Sequence, residues 1–236
     1  MDKSIQNNKL QILGKMAASL AHEIRNPLSA LKLNLNFLNM SDEQLDDDSK
    51  ECLSACMESV DRINYLIETT LDFSRKSSEN LMQDSLNDII LKALEFFGNN
   101  AKRKCVEISL NLEEKIPHIP LNRNAALQII LNLLNNAVDA CYEGGKVNVK
   151  TYKAVENNNV ILEIGDNGVG IKDTEIENIF DDFYTSKRTG TGLGLGVCKR
   201  LLNELNAEIT LTSKEGIGTN FFIKFPLTTV EELYET

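Results

Sequence analysis

An apolar stripe with helical spacing runs along residues 10–38 of this 236-residue chain. It recurs every three or four positions, at Leu13, Ala17, Leu20, Ile24, Leu31 and Leu38, with Ala21, Leu28 and Leu35 widening the stripe. This spacing predicts one long helix, from about Ser4 to Met40, that packs in a bundle. His22 lies off the stripe, in a column with polar residues, so its imidazole is expected to meet solvent or a partner. A buried, structural histidine is the alternative.

A second helix with the same spacing follows an acidic loop at residues 41–48. We expect it to begin near Ser49, a residue type that caps helix N-termini. Its apolar positions are Leu53, Cys56, Val60, Ile63 and Ile67. A hairpin of two such helices buries only one side of each. Pairing with a second copy into a four-helix bundle would bury both stripes, so the sequence predicts a homodimer.

Beyond a polar stretch at residues 75–83, strand and helix patterns are mixed. The patterns predict strands at Val106–Leu112, Lys146–Tyr152, Val160–Gly165, Ala207–Thr212 and Asn220–Phe225, and helices at Leu86–Phe97, Arg123–Tyr142 and Gly194–Asn206. The expected fold is an α-helical hairpin followed by an α/β sandwich with one helical layer. We place the helical domain at residues 1–76, a linker at 77–83, the sandwich at 84–227 and a tail at 228–236.

Bulk composition excludes several classes of function. A net charge of -10 without a long basic run argues against binding nucleic acid or an anionic membrane. No apolar stretch approaches the roughly 18 residues of a membrane helix, and no signal peptide precedes the first helix. Five cysteines without metal-like pairing fit a reducing compartment. We therefore expect a cytoplasmic, soluble protein.

The residues around His22 suit nucleophilic chemistry. Glu23 follows about 100° around the helix and can orient one ring nitrogen or take its proton, which leaves the other nitrogen as a nucleophile. Asn26 lies one turn further on. Pro27 removes a hydrogen bond to the Glu23 carbonyl and weakens the helix by about 3 kcal/mol. A tolerated kink is one explanation; a bend that brings the histidine to a second domain is the other.

One seven-residue run resembles the phosphoacceptor box of the histidine kinases of two-component systems: His22-Glu23-Ile24-Arg25-Asn26-Pro27-Leu28. The resemblance implies that ATP phosphorylates His22 and that the phosphoryl group then passes to an aspartate in the receiver domain of a response regulator. It also implies a role for Asn26 in dephosphorylating that regulator. An ATP site is then expected downstream.

A row of polar side chains crosses the predicted helix that begins at Arg123. Gln128, Asn132 and Asn136 recur every four residues, and Asp139 extends the row. Amides on one face of a core helix are costly unless magnesium or phosphate oxygens pair with them. A polar face that meets only water is the alternative. Residues 132–137 resemble the N-box of the same kinases, which implies that Asn136 binds Mg²⁺ and Asn132 lines the phosphates.

The apolar strand that begins at Val160 leads into Asp166. Alternation along the strand directs the Asp166 carboxylate inward, where the exocyclic amine of adenine could donate to it. Gly168 and Gly170 would let the backbone pass close to the base, although Asp-Asn-Gly is also a common turn. The run resembles the first glycine box of the family, which implies that Asp166 reads adenine.

Three further segments complete the resemblance. Residues 180–187 resemble the F-box, in which Lys187 either contacts the terminal phosphate or is a solvated charge. Residues 189–196 resemble the second glycine box, whose backbone N–H groups would bind phosphates at a helix start. Residues 216–219 match the last glycine box. The ATP-binding positions implied by these boxes are Lys187, Gly190, Thr191, Gly192, Leu193, Gly194 and Thr219.

Two other functions compete with a histidine kinase. A gyrase- or MutL-like ATPase would share the nucleotide fold, but hydrolytic members place a glutamate where this chain has Asn132. A non-catalytic ATP-binding scaffold would not need His22 and Glu23 on an outward face. We therefore expect autophosphorylation of His22 from Mg-ATP and transfer to a response regulator. No sensor is recognisable, so the input is expected from a further domain or a separate protein.

Overall fold

The computed structural model describes most of the chain from residue 81 onwards and part of the helical region before it. The described residues are 24, 26–39, 45, 46, 48–50, 52, 53, 56, 57, 60, 63, 81–154, 158–181, 184–186 and 192–228. By its contacts the chain divides into two compact units, Met1–Lys76 and Ser77–Thr236.

The first unit is helical. Helix α1 covers residues 26–39, and the described positions from 48 to 63, here α2, are all helical. A small core packs the two helices together through Leu28, Leu35, Leu53 and Val60, with Leu45 and Met57 at its margin. All four core residues lie at the predicted apolar spacing, which confirms the helical pair.

The start of α2 differs from the prediction. Asp46, rather than Ser49, caps the helix: its Oδ1 accepts a hydrogen bond from the Ser49 N–H at 2.8 Å, and its carbonyl accepts from the Lys50 N–H at 3.0 Å. The hydrogen bonds from Ser49 hold the pKa of the Asp46 carboxyl below its usual range. Both residue types are good caps, and Asp46 stands three residues earlier, where its oxygen reaches the third N–H of the helix.

The second unit is an α/β sandwich. Its elements are β1 (Met82–Asp84), α3 (Leu86–Arg103), β2 (Glu107–Leu112), β3 (Ile119–Leu121), α4 (Arg123–Ala140), β4 (Lys146–Lys153), β5 (Asn159–Asp166), α5 (Gly194–Glu204), β6 (Glu208–Lys214) and β7 (Gly218–Pro226). The main sheet has the order β2-β4-β5-β7-β6, with β2 and β4 parallel and the other pairs antiparallel. The strands β1 and β3 form a separate antiparallel pair.

The core lies between the sheet and the layer of helices. Helix α4 packs between α3 and α5 and against the central strands. Its buried apolar residues are Ala125, Ala126, Ile129, Ile130, Leu133, Leu134, Ala137 and Val138. Alternate residues of β4 and most of β5 are buried opposite them. The central helix is therefore fixed over the centre of the sheet, and polar residues along it are held in one place.

All five predicted strands and three predicted helices are present, with shifted ends. Helix α3 continues six residues past Phe97, because Ala101 is buried in its last turn. Helix α4 stops at Ala140, since the backbone at Cys141 is extended. The pair β1 and β3 was not predicted, and β1 begins at Met82, inside the stretch assigned to the linker. Within the described part of the chain, no helix combines the length and apolarity that crossing a membrane requires.

Candidate functional site

Strand register brings two of the predicted binding residues together. Asp166 at the end of β5 is the cross-strand partner of Thr219 near the start of β7, and of Val147 on the other side. Side chains of directly opposed residues lie on the same face of a sheet. The first and last glycine boxes, 53 positions apart between these two residues, therefore form one edge of the sheet.

The Asp166 carboxylate is partly buried and held by its own turn. Its Oδ1 accepts a hydrogen bond from the Gly168 N–H at 2.9 Å. Asn167 fixes the same turn to β4, because its Oδ1 accepts from the Lys146 N–H at 2.7 Å. Burial and, after it, the charge of Asp166 raise the pKa of the Cys141 thiol. The carboxylate thus lies close enough to Cys141, at the end of α4, for its charge to act on the thiol.

The glycines of this turn have a packing reason that the sequence did not reveal. A Cβ at Gly168 would lie 2.2 Å from the carbonyl oxygen of Ala140, at the end of α4. Gly170 has a φ of +66°, and a Cβ there would lie 2.1 Å from the Lys214 carbonyl oxygen. Both glycines were predicted to let the backbone pass close to a base. The structure shows that protein backbone also approaches both of them closely, so the turn lies between α4 and the β6–β7 hairpin.

The amide row on α4 is divided by burial. Asn132 is only 1% exposed; its Nδ2 donates to the Gly194 carbonyl at 3.3 Å, and its Oδ1 accepts from Gln128 Nε2 at 3.4 Å. Asn136 is partly buried, one turn further on. Asp139 is exposed and forms an ion pair with Lys104. Burial along the row therefore decreases from Asn132 through Asn136 to Asp139.

The start of α5 lies beside this row. Gly192 has a φ of +68°, Leu193 is buried, and the helix begins at Gly194 with no side-chain cap at Leu193. Uncapped N–H groups at a helix start favour an anion. Cys198, one turn inside α5, is fully buried, which raises the pKa of its thiol to about 12. Lys187, Gly190 and Thr191 lie outside the described residues.

The donor set fits magnesium only together with a phosphate ligand. Among the described residues, no group of three or more histidine, cysteine or acidic side chains could hold a metal ion. Magnesium commonly keeps several waters and takes one or two protein oxygens plus phosphate oxygens. The Asn136 amide oxygen is a ligand of that kind, and Asn136 is less buried than Asn132, whose amide hydrogen-bonds to Gln128 and to the Gly194 carbonyl.

In the helical unit, one predicted residue is described. Asn26 is exposed on α1, seven and eleven residues before Leu33 and Phe37, which are 70% and 72% exposed. These intervals place all three on one side of the helix, away from the buried Leu28 and Leu35. His22 and Glu23 lie outside the described residues.

Two residues of the α/β unit take part in the site's framework without having been predicted. Ser213 on β6 is the cross-strand partner of Thr219, and their hydroxyl oxygens are 2.8 Å apart. Lys199 on α5 places its Nζ 5.7 Å from the ring centroid of Phe180, the first residue of the F-box. Ser213 precedes Thr219 by six residues across the hairpin turn. That spacing in a hairpin was the sequence signal that could have predicted their pairing.

Comparison with known proteins assigns a family to each unit. Residues 12–79 match the family described as the His Kinase A (phospho-acceptor) domain. Residues 122–229 match the family described as the histidine kinase-, DNA gyrase B- and HSP90-like ATPase. The two matches follow each other in the same order as the two compact units.

Similar proteins extend across both units. The signal transduction histidine-protein kinase AtoS of Escherichia coli (strain K12) is 33% identical over 222 residues, which is 94% of this chain and 36% of AtoS. The chain spans about half or less of the length of the other curated relatives shown by the comparison.

Solved structures share the fold. ShkA, solved at full length in complex with AMPPNP, has a TM-score of 0.68 and 24% identity, covering 92% of this chain and 46% of that one. The histidine kinase ThkA, solved in complex with the response regulator protein TrrA, has a TM-score of 0.63 and 24% identity, covering 95% and 64%. At this identity the likeness concerns the fold alone.

Proposed function

The chain belongs to the histidine kinases, and we propose that it phosphorylates its own His22 from Mg-ATP and passes the phosphoryl group to an aspartate of a response regulator. The observation that carries the proposal is the joint presence of both kinase domains, with Asp166 and Thr219 paired at one edge of the sheet. That edge offers a base site, and the start of α5 beside Asn132 offers a phosphate site.

The nucleotide is assigned to residues from four segments. Asp166 accepts a hydrogen bond from the adenine amine, with Thr219 beside it and Gly168 and Gly170 shaping the turn. The phosphates bind the backbone of the glycine loop at Gly190, Thr191, Gly192, Leu193 and Gly194, with Lys187 at the terminal phosphate. Asn136 holds Mg²⁺, which when bound neutralises phosphate charge. Support comes from the uncapped start of α5 and the tie from Asn132 to Gly194.

The transfer step needs a nucleophile and no hydrolytic base. One imidazole nitrogen of His22 attacks the γ-phosphorus, an N–P bond forms, and the P–O bond to ADP breaks. Glu23 takes or orients the proton on the other ring nitrogen. An amide is no base, so Asn132 cannot activate water as a glutamate would. The absence of a base at this position on α4 leaves the γ-phosphoryl for His22.

The exposed apolar residues of α1 support a homodimer. Leu31 and Leu38 of α1 are 47% and 49% exposed, and Ile24, a helical residue just before α1, is 43% exposed. These three residues lie seven positions apart and flank the buried Leu28 and Leu35. Seven-residue spacing is the seam of a helical bundle, so a second copy would complete a four-helix bundle. The match to the phosphoacceptor family agrees with this assignment.

The response regulator is assigned to the opposite side of α1. Leu33 and Phe37 expose most of their surface there, on the side that carries Asn26. Exposed large apolar residues in a cluster mark interaction surfaces. Asn26 is then placed to position water for dephosphorylation of the bound receiver. The related ThkA forms a complex with a response regulator, which supports a partner of this class.

Labelling with γ-labelled ATP tests the central claim. The full chain should acquire label that is acid-labile and alkali-stable, as a phosphohistidine is, and His22→Gln should abolish it. His118→Gln is the matched control, because His118 is the only other histidine and should leave labelling unchanged. Label that survives in His22→Gln would refute the proposal.

A further inference from the structure

We propose that Ser213 is a positioning residue that fixes Thr219 as a hydrogen-bond acceptor and thereby selects adenine over 6-oxo purines. The inference rests on the proposed function, because it takes the Asp166–Thr219 edge as the base site.

Three neighbouring strands carry the residues concerned. Asp166 on β5 opposes Thr219 on β7, and Thr219 in turn opposes Ser213 on β6. Directly opposed residues share a face, so the three side chains form a row across the sheet. Thr219 is only 3% exposed, and Ser213 is partly buried. Hydroxyl groups so enclosed have their proton positions set by neighbouring protein atoms rather than by solvent.

The protons of the two hydroxyls can be assigned from their neighbours. Ser213 Oγ accepts from the Ile171 N–H at 2.8 Å and lies 3.1 Å from the Gly218 carbonyl oxygen, to which it donates. A serine hydroxyl has one proton, and a carbonyl oxygen can only accept. The proton in the 2.8 Å contact between Ser213 and Thr219 therefore belongs to Thr219. This arrangement uses the single proton and both lone pairs of Ser213.

As a consequence, the edge of the sheet formed by Asp166 and Thr219, here called the acceptor edge, offers the base only hydrogen-bond acceptors. Thr219 has given its proton to Ser213, so its hydroxyl oxygen has only lone pairs left to offer. The neighbouring Asp166 carboxylate is also an acceptor, with its Oδ1 already held by the Gly168 N–H. Adenine carries a donating amine at position 6, whereas hypoxanthine and guanine carry an accepting oxygen there. Two acceptors side by side attract the amine and repel the oxygen.

Removing the Ser213 hydroxyl reverses the polarity at Thr219. In Ser213→Ala the Thr219 proton is released and can turn toward the base, where it would meet the oxygen of a 6-oxo purine favourably. We expect ADP to bind about 3- to 10-fold more weakly and the ADP-to-IDP affinity ratio to fall by about 10-fold, the size of one hydrogen bond or slightly more. A purely structural role would weaken both nucleotides equally and leave the ratio unchanged.

Calorimetric titration of the full chain with ADP and with IDP, both with magnesium, measures the ratio without any phosphotransfer. Ser213→Thr keeps the hydroxyl and should retain the wild-type ratio. Thr212→Ala is the matched control, because it is the adjacent residue on β6 and points to the other face. Thr219→Val provides a second route if Ser213→Ala does not fold: it removes the acceptor, so ADP binding and the ratio should both fall.

The inference is overturned if Ser213→Ala folds and keeps the wild-type ADP-to-IDP affinity ratio. If Ser213→Ala does not fold, an unchanged ratio in Thr219→Val overturns it. Loss of the ratio in Ser213→Thr as well would also overturn it, since the hydroxyl is still present there. The proposed function can fail separately. In that case His22 would acquire no label, although the ADP-to-IDP affinity ratios of the wild type and the variants agree with the inference. A wild-type chain that binds neither nucleotide would refute both.

Discussion

The helical unit and the α/β unit place their polar residues in opposite ways. Asn26 is exposed on α1, next to apolar side chains that are also exposed. Asn132 and Thr219 are almost completely buried, with partners on other elements of the α/β unit. A buried polar group must be satisfied by fixed neighbours, so its geometry is set before any ligand arrives. We infer that the nucleotide site is preformed, whereas the exposed side of α1 is shaped for a partner.

The largest expected effect is a difference in stability between two variants of α1. Leu35→Ala removes a buried side chain from the small core of the helical unit and should lower the free energy of unfolding by about 2–5 kcal/mol. Phe37→Ala, two residues away and 72% exposed, should change that free energy by less than about 0.5 kcal/mol while slowing phosphotransfer to the receiver. Thermal unfolding and a transfer assay on both variants provide the measurements.

The outcome separates an interaction surface from part of a core. If Phe37→Ala lowers stability as much as Leu35→Ala, the exposed side of α1 is covered within the protein and cannot be the receiver surface. If transfer is unchanged in Phe37→Ala, the receiver binds elsewhere.

The second prediction concerns the acceptor edge of the α/β unit. Asp166→Asn replaces a carboxylate that accepts from the base with an amide that can present a donor, and we expect nucleotide affinity to fall by about 100-fold. Asp139→Asn is the control, since its carboxylate is exposed and forms an ion pair with Lys104. Titration with ADP should show normal binding for this control, and equal binding by Asp166→Asn would contradict the assignment of the base site.

Local periodicity explains why much of this fold was predictable. The strand β5 lies within one residue of its predicted bounds, because an apolar run that only Glu163 interrupts, followed by Asp-Asn-Gly, is typical of a buried strand that ends in a turn. The i+4 spacing of Gln128, Asn132 and Asn136 placed all three on one side of α4. The short strands β1 and β3 were missed because each has only three residues and β3 contains Pro120, which argues against a strand when seen alone.

Partners distant in sequence explain what could not be predicted. The carbonyl that accepts from Asn132 belongs to Gly194, 62 residues later, and no local pattern links the two. The same holds for Gly168, which must be glycine because the end of α4 passes over it. The roles of Asn132 and Gly168 were therefore assigned to a ligand, when part of the reason for each lies in packing between distant segments.

The smallest expected effect separates the two asparagines of the N-box. Asn132→Ala removes a buried amide that ties α4 to the start of α5, so the free energy of unfolding should fall by about 1–3 kcal/mol even without nucleotide. Asn136→Ala removes a less buried amide assigned to Mg²⁺, and should lower that free energy by less than Asn132→Ala does while weakening the magnesium dependence of autophosphorylation. Chemical denaturation without nucleotide and a magnesium titration of labelling measure the two effects independently.

Equal losses of stability would mean that both amides are structural, and equal losses of magnesium dependence would mean that Asn132 reaches the metal despite its protein partners. The expected split would instead show that one row on a single helix contains a residue that builds the site and a residue that binds its ligand, with burial as the property that distinguishes them.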